Sequence, residues 1–189
     1  MIKGFILGML FVVIYIIVLI AMRQLEFRYR PFTINAFYTL LSGIIIFGGV
    51  AFAEEITFRG YFQNILSKNN KNMGLILTAM LFAINHLINI DNYTLLSLIY
   101  LAIGGILLGL IRMETENIWF PIGFHIAWNW TEIRVFGLGN PSNHHWFSTE
   151  IIQNTIWNGG ESGTGLVIVF VELIFIVIFT YLYSRKNRK

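Results

Sequence analysis

The stretch that decides the fold of this chain reads Ala53-Glu-Glu-Ile-Thr-Phe-Arg-Gly60. It follows an apolar run, 36–52, that contains no charged residue. Two carboxylates and an arginine therefore lie where the chain is expected to be inside a lipid bilayer. Ionisable side chains at that depth are costly, so they usually face the interior of a helix bundle and mark a functional site.

The composition of the 189-residue chain predicts an integral membrane protein. Hydrophobic residues make up 56% of it, charged residues 12%, and the mean hydropathy is +0.68. Soluble domains carry about 25% charged residues, roughly twice as many. The net charge of +3 is small, so no nucleic-acid partner is expected. The absence of cysteine excludes disulfides, a thiol nucleophile and thiolate metal ligands.

Six segments are apolar enough over about 20 residues to be expected to cross a bilayer as helices. We therefore predict a single domain, 1–189, with an all-α fold: a polytopic bundle of about six transmembrane helices with its motif-bearing core at about 36–135. The second helix is expected to continue through the carboxylate pair to about Ser67. The predicted spans are 4–22, 33–52, 73–90, 93–111, 118–135 and 165–184.

Lys and Arg are enriched in cytoplasmic loops, so their distribution predicts the orientation of the bundle. With six spans, eight of them fall on the side of the two termini and four on the other, with Arg59 counted as intramembrane. The sequence therefore predicts a multi-pass membrane protein with both termini in the cytoplasm. The segment 137–163 is rich in glycine and asparagine and is predicted to be a long irregular loop.

Helical geometry divides the two adjacent carboxylates. Glu55 and Arg59 are four residues apart on one helix face, with the acid on the N-terminal side, so they can neutralise each other. Glu54 points about 100° away and is free to face another helix. This spacing predicts that Glu54 takes part in chemistry and that Glu55 and Arg59 support the structure.

Two further apolar segments carry polar side chains of the same kind. His86 lies four residues after Phe82, and His125 lies four residues before Asn129, so each pair shares a helix face. Two imidazoles, one amide and one carboxylate suffice for peptide hydrolysis. Glu54 and one histidine would activate a water, while the other histidine and Asn129 would stabilise the oxyanion.

Other interpretations of the same residues stay open. Glu54, His86 and His125 are the set that would hold a divalent metal such as zinc and lower the pKa of its bound water. A buried Glu–Arg pair can also be a structural link, and a membrane histidine can simply join two helices. The presence of three such clusters in one chain argues against these purely structural roles, because several unpaired polar groups in lipid would cost much free energy.

The motifs Glu54-Glu55-x-x-x-Arg59, Phe82-x-x-x-His86 and His125-x-x-x-Asn129 occur in this order on apolar segments. They resemble the three motifs of the CPBP intramembrane proteases. That family includes the CAAX prenyl endopeptidases of the Ras-converting type and the bacterial Abi proteins linked to bacteriocin self-immunity. By its motifs, the resemblance covers roughly 39–130.

The resemblance implies an endopeptidase that cleaves membrane-associated peptides or proteins. Glu54 would activate water with His86, His125 and Asn129 would form the oxyanion site, and Glu55 and Arg59 would hold the first motif in place. Because there is no HExxH motif, we expect no metal cofactor. The short chain and its usage of Ile, Asn and Lys indicate a bacterial plasma-membrane protein.

Two other functional classes use similar residues. A non-catalytic member of the fold would act as a membrane binding or immunity module, but the intact motifs argue against it. A transporter would also use buried carboxylates and histidines, but it predicts an inverted repeat or paired half-helices, which the sequence lacks.

Overall fold

A computed structural model describes residues 1–87, 95–138, 145–159 and 165–186 of the chain. Most of these residues are helical. Two π-helical segments, π1 (Ile56–Phe62) and π2 (Trp130–Val135), directly continue α2 and α6. The α-helices are α1 (Ile2–Ala21), α2 (Ile34–Glu55), α3 (Gln63–Leu66), α4 (Lys71–Leu87), α5 (Leu95–Thr115), α6 (Trp119–Asn129) and α7 (Leu166–Lys186).

The motif-bearing rod is the longest helical element. α2, π1 and α3 run without interruption over Ile34–Leu66, a length of 33 residues. The hydroxyl of Thr33 caps the start by accepting a hydrogen bond of 3.2 Å from the backbone N–H of Ala36. The prediction that the second helix passes through the carboxylate pair to about Ser67 is confirmed.

Four helices in the described part of the chain are long and apolar enough to cross a membrane: Ile2–Ala21, Ile34–Leu66, Leu95–Thr115 and Leu166–Lys186. The prediction of about six spans is not confirmed. Within the described residues, α4 has 17 residues, and α6 has 11 before it passes into the six residues of π2. These two helices carry the histidine motifs.

Parts of the predicted segments lie outside the described residues. These parts include the end of the span 73–90 and the start of the span 93–111. They also include Arg188 and Lys189, which contributed to the predicted orientation.

A short antiparallel pair of strands, which the sequence analysis did not predict, accompanies the mostly helical fold. β1 (Leu25–Arg28) follows α1, and β2 (Ser148–Ile151) lies within 137–163, the segment expected to be irregular. Leu25 pairs with Ile151 at one end of this two-stranded sheet. The two strands are far apart in sequence, and each has only four residues, so neither produces a recognisable local pattern.

An aromatic cluster joins the first, sixth and seventh helices. The Phe11 ring is fully buried, and its centroid lies 4.5 Å from that of Trp128, 5.3 Å from that of Phe175 and 5.6 Å from that of Phe124. Aromatic pairs at these separations contribute about 0.5–1.5 kcal/mol each beyond their burial. The cluster fixes α6, and therefore the third motif, against α1 and α7.

Glycines let α1 approach α6 backbone to backbone. A Cβ atom at Gly4 would lie 2.1 Å from the carbonyl oxygen of Phe120, and one at Gly8 would lie 2.4 Å from that of Phe124. Real side chains do not tolerate such distances. Small residues at helix contacts are typical of membrane proteins, where close packing replaces the hydrophobic effect between helices.

The outer surface of the bundle is apolar. Ile45 on α2 is 69% exposed, and Val177 on α7 is 67% exposed. Exposed apolar area of this extent marks a surface that contacts membrane or protein. Together with the four spanning helices, it indicates a protein embedded in lipid.

We predict that Gly8→Ala lowers the free energy of unfolding by about 1–3 kcal/mol, because the added methyl group must push α1 away from the Phe124 carbonyl. The measurement is thermal or denaturant-induced unfolding in mild detergent. Gly49→Ala is the matched control, since a Cβ there meets no atom within 4 Å. Equal stability of the two variants would contradict the close packing of α1 on α6.

Candidate active site

The first motif forms a buried ion pair where α2 becomes π1. Arg59 Nη1 donates a hydrogen bond of 2.9 Å to Glu55 Oε1, and both side chains are fully buried. Arg59 Nη2 donates a second bond of 3.1 Å to the Gly105 carbonyl of α5. A buried charge persists only when it is paired and hydrogen-bonded. The arginine therefore links the motif-bearing rod to α5.

Phe82 of α4 lies at the centre of the site. The Arg59 guanidinium lies 4.4 Å from the centroid of its ring, a cation–π contact. The same ring lies 4.6 Å from the His86 ring and 6.2 Å from the His125 ring. Phe82 is 4% exposed. Its ring therefore sets the spacing between the two imidazoles and the arginine.

Glu55 also holds the third motif, a contact that sequence spacing did not predict. Its Oε1 atom lies 3.0 Å from Nδ1 of His125, and the histidine is 6% exposed. A carboxylate only accepts hydrogen bonds, so Nδ1 of His125 carries a proton here. That assignment directs Nε2 of His125 to the opposite side, toward Glu54.

Glu54 lies between the two imidazoles. Its Oε1 is 3.8 Å from Nε2 of His86, and its Oε2 is 3.8 Å from Nε2 of His125. These distances exceed direct hydrogen-bond range, so a water molecule can bridge each pair. Nδ1 of His86 lies 2.9 Å from the Phe82 carbonyl and must donate to it. Both histidines therefore present Nε2 to the same carboxylate.

A cavity of about 230 Å³ opens beside these groups. Glu54, His86, His125 and Asn129 all line it, so the structure brings the four predicted site residues to one space. Glu54 and His86 keep about a fifth of their side-chain surface accessible, whereas Glu55 and Arg59 have none. The accessible carboxylate and the buried one correspond to the two faces predicted from helix geometry.

The cavity also has residues that the sequence analysis missed. Glu132 of π2 and Glu172 of α7 line it, together with Gly104 and Tyr100 of α5. Two features of the sequence could have indicated them: Glu132 lies three residues after Asn129 on the same helix, and Glu172 is a single carboxylate within an apolar span. An ionisable residue in an apolar segment is also the feature that identified Glu54.

The alternative to a metal-free site is a divalent metal held by Glu54, His86 and His125. Across the residues that the structure describes, no group of three His, Cys, Asp or Glu side chains is arranged to hold a metal ion. Nε2 of His86 and Nε2 of His125 each lie 3.8 Å from an oxygen of Glu54. Glu54, His86 and His125 are the residues that would hold a divalent metal ion, and chelation is the test that separates a metal-bound water from a water held by these side chains alone.

Comparison with known families agrees with the motifs. Residues 33–131 match the family model described as Rce1-like, type II CAAX prenyl endopeptidase. The matched region is just over half of the chain and contains all three motifs. The chain therefore belongs to the Rce1-like family of CAAX proteases, and the resemblance inferred from sequence is confirmed. No curated protein and no solved structure matches the chain.

We predict that Arg59→Met lowers the free energy of unfolding by about 3–5 kcal/mol, because it leaves the Glu55 carboxylate buried without its cation. Unfolding in mixed micelles measures this loss. Ile56→Met, in the same helical segment and 43% exposed, is the control. If Arg59→Met were no less stable than the control, the ion pair would not be the link between the rod and α5.

Proposed function

We propose that this protein is an intramembrane endopeptidase that hydrolyses peptide bonds of membrane-associated peptides or proteins. The observation that carries the proposal is the Glu54 carboxylate, set between two imidazole Nε2 atoms on the wall of a buried cavity. Membership of the Rce1-like family supports protease activity. The proposed catalytic residues are Glu54, His86, His125 and Asn129.

The proposed reaction begins with a water bound between Glu54 and His86. The Nε2 lone pair of His86 orients the water, because Nδ1 is committed to the Phe82 carbonyl. Glu54 takes the proton as the water oxygen attacks the scissile carbonyl carbon. As the C–N bond breaks, Glu54 returns that proton to the departing amine, so no external donor is needed.

The proposed oxyanion site consists of His125 and Asn129. With Nδ1 donating to Glu55, a protonated His125 donates from Nε2 to the developing oxyanion, and Glu55 stabilises the imidazolium from behind. The Asn129 side-chain amide supplies a second donor from the same helix. Donors held in place by the protein lower the barrier more than water does, because they need no reorganisation as the charge develops.

The physiological setting follows from the resemblance. Members of the wider family act on prenylated proteins or accompany bacteriocin self-immunity. We propose for this chain a role in peptide maturation or self-immunity at a bacterial plasma membrane, with prenylated substrates not required. The metal-free mechanism is part of this proposal, and chelation tests it.

We predict that Glu54→Gln lowers the rate of peptide-bond cleavage in proteoliposomes by about 10²–10⁴-fold, because the amide cannot take the proton from water. Asn129→Ala should cost about 10²–10³-fold through loss of one oxyanion donor. Membrane peptides of the native host serve as the substrate pool, and mass spectrometry identifies the products. The chelator EDTA should change none of these rates.

Glu26→Gln is the matched control, because the Glu26 carboxylate is more than half exposed on β1 and lies away from the cavity. This variant should cleave at the wild-type rate. Undiminished cleavage by Glu54→Gln would overturn the mechanism. Loss of cleavage with EDTA that zinc restores would instead assign Glu54, His86 and His125 to a metal. If Glu54→Gln retained the cellular phenotype of the wild type, the non-catalytic binding module would be the better description.

We predict that both termini lie in the cytoplasm, because eight of the thirteen Lys and Arg residues fall on that side when the chain crosses the membrane with the six spans predicted from the sequence. Green fluorescent protein fused to the C-terminus should therefore fluoresce, and alkaline phosphatase fused there should be inactive. The same fusions between α1 and α2 should give the opposite result. Active phosphatase at the C-terminus would reverse the proposed orientation.

A further inference from the structure

The cavity beside Glu54 extends to a second group of carboxylates that the proposed hydrolysis does not use. Glu132 of π2 and Glu172 of α7 also line it. We call the part of the wall formed by Glu132, Glu172 and Gly104 the acidic arm. Neither carboxylate belongs to the three motifs, and both face the space in which a substrate would bind.

Glu172 is the unusual member of the acidic arm. Its side chain is fully buried, and within the described residues neither of its oxygens has a hydrogen-bond partner. A buried carboxylate without partners is destabilising, since its lost hydration is not replaced. Such a group is retained where something else provides the partner, and the cavity is the open space next to it.

Glu132 completes the pair from the adjacent helix. Its Oε2 accepts a hydrogen bond of 2.9 Å from the Trp128 indole N–H, and its side chain is only partly buried. Glu132 follows His125 by seven residues, which corresponds to about 10 Å along a helix at about 1.5 Å per residue. An extended peptide covers that distance in about three residues.

Gly104 keeps the acidic arm open. A Cβ atom at this position would lie 2.9 Å from Glu172 Oε1 and 3.2 Å from Trp128 Cη2. Any side chain here would therefore stand against the carboxylate and the indole that lines the cavity. Glycine leaves no side chain between the Glu172 carboxylate and the cavity beside it.

The carboxylates that line the cavity favour a positively charged ligand. Glu54, Glu132 and Glu172 line it, and no Lys or Arg is among the described residues of its wall. Arg59 is committed to Glu55 and Gly105 behind the site. The remaining wall between the carboxylates is apolar and includes Leu101, Leu108 and Trp128. An alkyl stem that ends in a cation matches both features.

We propose that the acidic arm is a subsite for a cationic side chain of the substrate, an alkylammonium or alkylguanidinium, about three residues from the scissile bond. This assignment of the substrate rests on the proposed protease function, whereas the binding of the cation does not. Glu172 and Glu132 hold the charged head, and the apolar wall accommodates the stem.

The first test measures binding without cleavage. The probes are n-butylammonium, which represents a lysine side chain, and 1-butanol, which has the same number of non-hydrogen atoms and no charge. Saturation-transfer NMR on protein in phosphatidylcholine nanodiscs reports binding of each. Wild-type protein should bind the ammonium at least about tenfold more tightly than the alcohol, because a desolvated ion pair is the stronger contact.

Variants locate the binding. Glu172→Gln and Gly104→Ala should each weaken n-butylammonium binding by about tenfold or more, the first by removing charge and the second by closing the arm. Gly49→Ala should leave it unchanged, since that glycine faces open space. Glu172→Gln should fold at least as stably as wild type, because a buried amide costs less than a buried unpaired carboxylate. Equal binding of both probes to wild type, or unchanged ammonium binding by folded Glu172→Gln, would overturn the proposal.

A second measurement separates the acidic arm from the protease function. Bonds cut by wild-type protein in proteoliposomes should show Lys or Arg enriched about three residues from the cut, and Glu172→Gln should lose that enrichment while it still cleaves. Glu54-dependent cleavage without this enrichment would reject the cationic subsite alone. Ammonium binding in a protein that cleaves nothing would reject the protease function and retain the cation site.

Discussion

The fully buried Glu55 carboxylate is the constraint on which the rest of the structure depends. One of its oxygens accepts from Arg59 at 2.9 Å and from His125 at 3.0 Å, and Arg59 in turn donates to Gly105. These three bonds join the motif-bearing rod to α5 and α6. Because each is charge-assisted in a water-poor interior, removing one partner leaves the others unpaired, so the helices must stay in register.

This arrangement gives two adjacent carboxylates different tasks. Glu55 is immobilised by its donors, whereas Glu54 has no direct hydrogen bond of 3.5 Å or less to either imidazole and faces a cavity. Both π-helical segments begin at a motif: π1 begins within the first motif, directly after Glu55, and π2 begins directly after Asn129, the last residue of the third motif. Such segments often occur at functional sites, since they turn side chains relative to a regular α-helix.

The cavity combines the chemistry of a family with features particular to this chain. In the proposed mechanism, the three motifs supply the group that activates water and the groups that stabilise the oxyanion. The remaining walls, with Glu132, Glu172 and Gly104, decide what the cavity can hold. The residues proposed for catalysis and those proposed to bind a substrate side chain therefore line the same cavity.

The sequence by itself determined the membrane class, the continuous second helix and the three motifs, because apolar length and helical spacing are local properties. It also predicted that Glu54 and Glu55 face different directions. Only the tertiary structure decided that Glu55 reaches His125, that β1 pairs with β2, and that Glu172 enters the cavity. These contacts join residues far apart in the chain, and helix packing, not local spacing, determines which of them meet.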